Sequence, residues 1–117
     1  MAYLRHLVNG ATASIYELGE NVLIGRASEC AIKVDDPTVS GVHAKLEQCA
    51  GEYILTDQAS TNGVFMKARR VEQMKLQARD IFTIGTHEFE FLLELPTDFD
   101  KTLKIKKSWI PGIYYTE

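Results

Sequence analysis

The sequence predicts an all-β fold, a two-sheet β-sandwich of about ten to eleven short strands with ligand-binding loops at one end. Two observations carry that expectation. Short runs of alternating apolar residues recur between turn signals along the first 95 residues, and each such run has one face to bury against a second sheet. The clearest period is Glu88-Phe89-Glu90-Phe91, with both phenylalanines on one side and both glutamates on the other.

Taken in order, Tyr3 to Val8 stops at Asn9-Gly10, Ser14 to Leu18 at Gly19, Asn21 to Ile24 at Gly25, and Ala31 to Val34 at Asp35-Asp36-Pro37. Each stop favours a turn or breaks a strand ladder. Ala44 to Gln48 ends before Ala50-Gly51, and Tyr53 to Thr56, Val64 to Met66, Asp80 to Ile84 and His87 to Leu93 complete the set. Arg69 to Arg79 reads as a strand end and a loop leading into the Asp80 turn. Its rival is a short helix, because Val71, Met74 and Ala78 have helical spacing. The expected core is Phe89, Phe91, Val22, Ile24, Ile32, Val34, Leu46, Ile54, Phe65, Ile81 and Ile84.

A chain of 117 residues is enough for one such domain, placed at residues 1–95. Residues 96–117 form a C-terminal tail that is first polar, then basic at Lys104, Lys106 and Lys107, then aromatic from Trp109 to Tyr115. The tail reads as a linker that packs Trp109 or Tyr114 on the sandwich. The alternative is self-association, with phosphorylated Thr97 or Thr102 docking on its own or a neighbouring molecule's loops. The stretch Lys104 to Trp109 is too short to assign to a membrane surface.

Apolar residues make up 45% of the chain and charged residues 25%, the balance of a globular protein. A net charge of -3 argues against general affinity for nucleic acid, whose binders carry a basic excess. No run is long enough to span a bilayer, and the first ten residues lack the apolar core of a secretory signal, so a cytoplasmic location is expected. Cys30 and Cys49 have no metal-ligand spacing with each other or with His6, His43 and His87. Both are read as reduced, partly buried thiols, and neither a metal nor another cofactor is implied.

Three signatures fall at strand ends: Gly25-Arg26, Ser40-Gly41-Val42-His43 and Ser60-Thr61-Asn62-Gly63. A phosphorylated side chain carries nearly two negative charges and three strong acceptor oxygens. Gripping it takes a fixed cation and neutral donors on rigid backbone. Arg26 offers a guanidinium that stays charged and can bond two phosphate oxygens at once, and Gly25 lets the loop turn sharply at the strand end. Ser40 offers a hydroxyl donor, and His43 is read as the side chain that bonds loop backbone and holds Ser40 in place. Asn62-Gly63 permits a tight turn, read on its own as a hairpin. Ser60 and Thr61 before it either cap backbone or face a ligand.

In this order and spacing the motifs resemble the forkhead-associated (FHA) domain, a phosphothreonine-reading β-sandwich. The resemblance runs from about Tyr3 to Leu93 and includes Leu55-Thr56-Asp57 and the Asp80-x-x-x-Ile84-Gly85 turn. It implies that Arg26, Ser40, Thr61 and Asn62 bind phosphopeptide while Gly25, His43 and Gly63 brace the loops. The implied partner is a phosphothreonine-containing protein or peptide, and the implied role is that of a signalling adaptor module. Two departures stand out. Gly41 replaces a side chain that adds ligand contacts in many relatives, and Val64-Phe65-Met66-Lys67 lacks the usual threonine start and terminal Asn-Gly, which blurs that hairpin.

Two other function classes remain. Ser40, His43 and Asp35 or Asp36 contain the elements of a hydrolytic triad, but they are crowded into one loop and lie outside a nucleophile elbow, so no catalytic residue is assigned. A structural interaction domain that binds an unphosphorylated partner is the alternative to phosphopeptide recognition.

Overall fold

The computed structural model describes residues 2–95 and 105–107, and its alternating runs resolve into eleven strands between Tyr3 and Leu92 with a twelfth drawn from the tail. They are β1 (Tyr3–Val8), β2 (Ala11–Glu17), β3 (Asn21–Gly25), β4 (Ile32–Lys33), β5 (Ala44–Cys49), β6 (Glu52–Asp57), β7 (Val64–Met66), β8 (Arg69–Val71), β9 (Gln73–Lys75), β10 (Ile81–Ile84), β11 (His87–Leu92) and β12 (Ile105–Lys107). One sheet has the order β12-β2-β1-β11-β10-β7-β8 and the other β4-β3-β5-β6-β9. The described residues contain no helix. β12 pairs in parallel with β2, placing Ile105 opposite Ile15. Trp109, Tyr114, Thr97 and Thr102 lie outside the described residues.

The predicted core matches the structure wherever the predicted strand phase agrees with the strand pairing. Val22, Ile24, Ile32, Val34, Leu46, Ile84, Phe89 and Phe91 are buried between the sheets. Ile54 and Phe65 are only half-buried, and Ile81 is 41% exposed. Each of the three is one residue out of phase: Tyr53 and Leu55, Val64 and Met66, and Phe82 take the inward positions. A strand has period two, so Ile81 and Ile84 point to opposite faces. Phe82 stacks on Phe89 with ring centroids 5.4 Å apart, and Tyr53 meets Phe91 across the two sheets at 5.6 Å. Burying such a side chain contributes about 1.5–3 kcal/mol. Tyr53 also donates its hydroxyl to the Gly19 carbonyl at 2.7 Å, so its polar end is satisfied.

The stretch from Arg69 to Arg79 is neither a helix nor mainly a loop. β8 pairs with β7 in one sheet and β9 pairs with β6 in the other, so the chain changes sheet at Glu72. The turn into β8 is Lys67-Ala68, both with positive φ, 49° and 65°. That left-handed pair is what a two-residue hairpin requires. It costs roughly 1–2 kcal/mol per non-glycine residue, which is why the lack of Asn-Gly blurs this hairpin in the sequence. Cys30 is buried as expected. Cys49, at the end of β5, is exposed, and both thiols are free.

Candidate functional site

The three signatures occupy loops that are tied to one another by backbone. In the β3–β4 loop, Arg26 N–H donates to the Ser40 carbonyl at 3.0 Å and Ala27 N–H to the Gly41 carbonyl at 2.9 Å. This close approach sets the requirement for Gly25. A β-carbon there would lie 2.2 Å from the Gly41 carbonyl oxygen, and that backbone has no room to give. Gly25 is absent from the residues with positive φ, so space rather than a sharp turn is the reason for it.

His43, fully buried, joins the second loop to the third. Ser40 N–H donates to its Nδ1 at 3.0 Å, and its Nε2 lies 2.8 Å from the Gly63 carbonyl oxygen. A carbonyl only accepts, so Nε2 carries the hydrogen and Nδ1 is the bare acceptor. Both ring nitrogens are thereby spent on backbone. Neither bonds the Ser40 hydroxyl, Asp35 or Asp36, so the candidate triad is not assembled.

Ser40 Oγ accepts the Thr61 N–H at 3.1 Å. That contact uses a lone pair and leaves the hydroxyl hydrogen without an acceptor among the described residues. Asn62 donates Nδ2 to the Thr38 carbonyl at 2.8 Å, which leaves its Oδ1 without a partner among the described residues. Thr61 and Asn62 are both exposed. Ser60 is not: it is buried, donates its hydroxyl to Asp57 Oδ1 at 2.5 Å and receives Gly63 N–H at 2.9 Å, so it caps the loop. Gly63, at φ +86°, closes that cap. The strands on either side, β6 and β7, belong to different sheets, so Asn62-Gly63 is a crossing between sheets and not the hairpin its sequence suggests.

Arg26 is exposed, and among the described residues its guanidinium has no hydrogen-bonding or carboxylate partner. Arg26, Ser40, Thr61 and Asn62 therefore sit on three connected loops with donors or acceptors left open. Gly41 is exposed beside them, with only the Ala27 β-carbon near the position its own would take, at 4.0 Å.

A second set of contacts, invisible in the sequence, clamps the same loop from the other sheet. Asp36 Oδ1 accepts Thr38 N–H at 2.8 Å and Thr38 Oγ1 at 2.6 Å. Its Oδ2 accepts His87 Nε2 at 2.9 Å, and His87 Nδ1 lies 2.8 Å from His6 Nε2. The His6 ring stacks on Phe89 at 4.7 Å. Gly85 lets the β10–β11 turn press on Thr38, where a β-carbon would come within 2.3 Å of Oγ1. The Thr38 carbonyl that receives Asn62 is thus anchored through Asp36 to the core.

The Thr38 hydroxyl first, then the Thr38 N–H and His87, hold the Asp36 carboxyl well below the usual carboxylate range. A carboxyl lowered on folding adds stability above its unfolded pKa of about 3.9, and that contribution is lost as pH falls through the folded value. Asp36→Ala is therefore expected to lower the thermal midpoint at neutral pH, with the gap to the parent closing only below about pH 4. Melting curves across pH check this. A gap already closed at pH 5 would contradict the assignment.

Known structures share this arrangement of sheets. The chain is similar to the FhaA FHA domain complexed with the intracellular domain of Rv3910, at TM-score 0.71 and 25% identity over 78% of this chain and 99% of that chain. It is similar to Mycobacterium tuberculosis EmbR in complex with a low-affinity phosphopeptide, at TM-score 0.72 and 28% identity over 84% of this chain and 26% of that chain. The FHA domain of CT664 from Chlamydia trachomatis shares the fold, at TM-score 0.71 and 22% identity over 80% of this chain and 98% of that chain. Comparison with curated proteins returns no match. The family model for the FHA domain matches residues 22–85, more than half of the chain. With the two-sheet sandwich and its connected loops, this places the chain in the forkhead-associated (FHA) domain family.

Proposed function

We propose that this domain binds a phosphothreonine-bearing segment of a protein partner, acting as an adaptor that reads phosphorylation without altering it. Arg26 supplies the cation, the Ser40 hydroxyl donates to a phosphate oxygen, and Thr61 and Asn62 contact the segment around it. His43, Gly25 and Gly63 hold these groups in place. The observation that carries the reading is an uncompensated arginine hydrogen-bonded through its backbone to Ser40, whose Oγ is in turn fixed by Thr61 N–H. Similarity to an EmbR structure that holds a phosphopeptide supports it.

Hydrogen bonds to a charged group contribute about 1.5–3 kcal/mol each. Three or four of them supply a large share of the roughly 8 kcal/mol that a micromolar complex needs. Titrating the domain with matched peptides, phosphorylated and plain at one threonine, is expected to give a dissociation constant on the order of micromolar for the first and no measurable binding for the second. Equal binding of both would refute the proposal.

A further inference from the structure

The chain has five arginines, and the structure divides them into two groups. Arg5 and Arg79 are committed to the buried carboxylate of Glu90. Arg5 donates Nε and Nη2 to Oε1 at 3.1 and 2.8 Å, and Arg79 reaches Oε2 at 3.2 Å. Arg26, Arg69 and Arg70 have no carboxylate partner among the described residues. Arg26 belongs to the site already described. Of the other two, only Arg70 reaches that site.

Arg70 lies on β8, an edge strand, directly opposite Phe65. Its side chain folds back across Gly63, so that a β-carbon on Gly63 would fall 2.6 Å from Nε and 2.9 Å from Cζ. The missing side chain at Gly63 is therefore the seat of this guanidinium. Nη2 lies 3.4 Å from the Ser60 carbonyl, a long contact that occupies one of five donors. The residue is exposed, and its guanidinium makes no other hydrogen bond among the described residues. Two carboxylates near it in sequence or across the loop do not pair with it: Asp57 is engaged by Ser60, and Glu72 forms no ion pair among the described residues. A guanidinium set beside a ligand loop and left without a counter-charge matches a ligand that brings one.

We infer that Arg70 is a specificity-determining residue that pairs with an acidic side chain flanking the phosphothreonine. The inference rests on the phosphothreonine reading proposed above. Arg70 answers a carboxylate on the same segment, while Arg26 answers the phosphate. Arg69 provides a charge-matched comparison. It lies opposite Met66, whose side chain points into the core, so Arg69 and Arg70 leave β8 on different faces.

The test uses phosphothreonine peptides that carry glutamate or glutamine at one flanking position at a time, titrated against the parent domain, Arg70→Gln and Arg69→Gln. The parent is expected to prefer glutamate at one or more positions by about two- to fivefold, the scale of an exposed ion pair. Arg70→Gln is expected to lose that preference and keep its dependence on phosphate, while Arg69→Gln keeps both. Three results would overturn the inference: no preference in the parent, a preference surviving in Arg70→Gln, or an equal weakening of glutamate and glutamine peptides by Arg70→Gln. The plain, unphosphorylated peptide separates the two readings. If the parent binds it as well as the phosphopeptide, the phosphothreonine proposal itself has failed.

Discussion

Arg26→Ala is expected to abolish measurable phosphopeptide binding and to leave the thermal midpoint of the domain unchanged. The two halves of that expectation have separate physical sources. The side chain is exposed and has no intramolecular hydrogen-bonding or ionic partner among the described residues, so the folded state loses nothing when it is cut back. The bond that Arg26 makes to Ser40 comes from its backbone N–H, which alanine retains. The complex loses a cation aimed at a doubly charged anion, and two bonds at about 1.5–3 kcal/mol each amount to a weakening on the order of a hundredfold or more. Arg26→Lys is expected to fall between, because an ammonium keeps the charge but not the paired donors. Calorimetric titration with one phosphothreonine peptide and a melting curve for each variant are sufficient. An alanine variant that binds as tightly as the parent would remove Arg26 from the site, and one that melts much earlier would show a structural role absent from the contacts described.

The fold class was legible because strand phase, turn residues and strand length agree along most of the chain. It became illegible where those signals are locally ambiguous. Ile81-Phe82-Thr83-Ile84 offers three apolar residues in four, and only pairing of Phe82 with Phe89 determines which face is inward. Lys67-Ala68 turns without a turn signature, because the flanking pairs Met66–Arg69 and Phe65–Arg70 hold it in a left-handed conformation. The candidate residues in the loops were legible through their motifs. The clamp behind them was not, since His6 and His87 meet only when β1 pairs with β11, and Asp36 reaches His87 only when the two sheets pack. Arg70 was missed for a related reason: its relevance depends on the sheet crossing at Gly63, which the Asn-Gly sequence disguised as a hairpin.

His43→Ala is expected to lower both stability and affinity, because one imidazole holds two loops together. Ser40 N–H and the Gly63 carbonyl meet the fully buried ring from opposite sides. Alanine leaves both without a protein partner, at about 1–3 kcal/mol each, and the emptied ring volume adds a cavity cost. The sum, on the order of 3–5 kcal/mol, is a large fraction of the roughly 5–15 kcal/mol that stabilises a domain of this size. Urea unfolding is expected to show a lower midpoint with an unchanged slope, the signature of lost stability without a change in the surface exposed. Affinity should fall even at temperatures where the variant is fully folded, because Ser40 and Gly63 no longer share a fixed reference and the Ser40–Thr61 contact depends on their separation. Asp36→Ala serves as a comparison, since it loosens the same loop from the opposite side while leaving the His43 bridge in place. If His43→Ala unfolds at the parent's urea midpoint and binds phosphopeptide undiminished, the loops are held by their other hydrogen bonds alone and the central role given to this histidine is wrong.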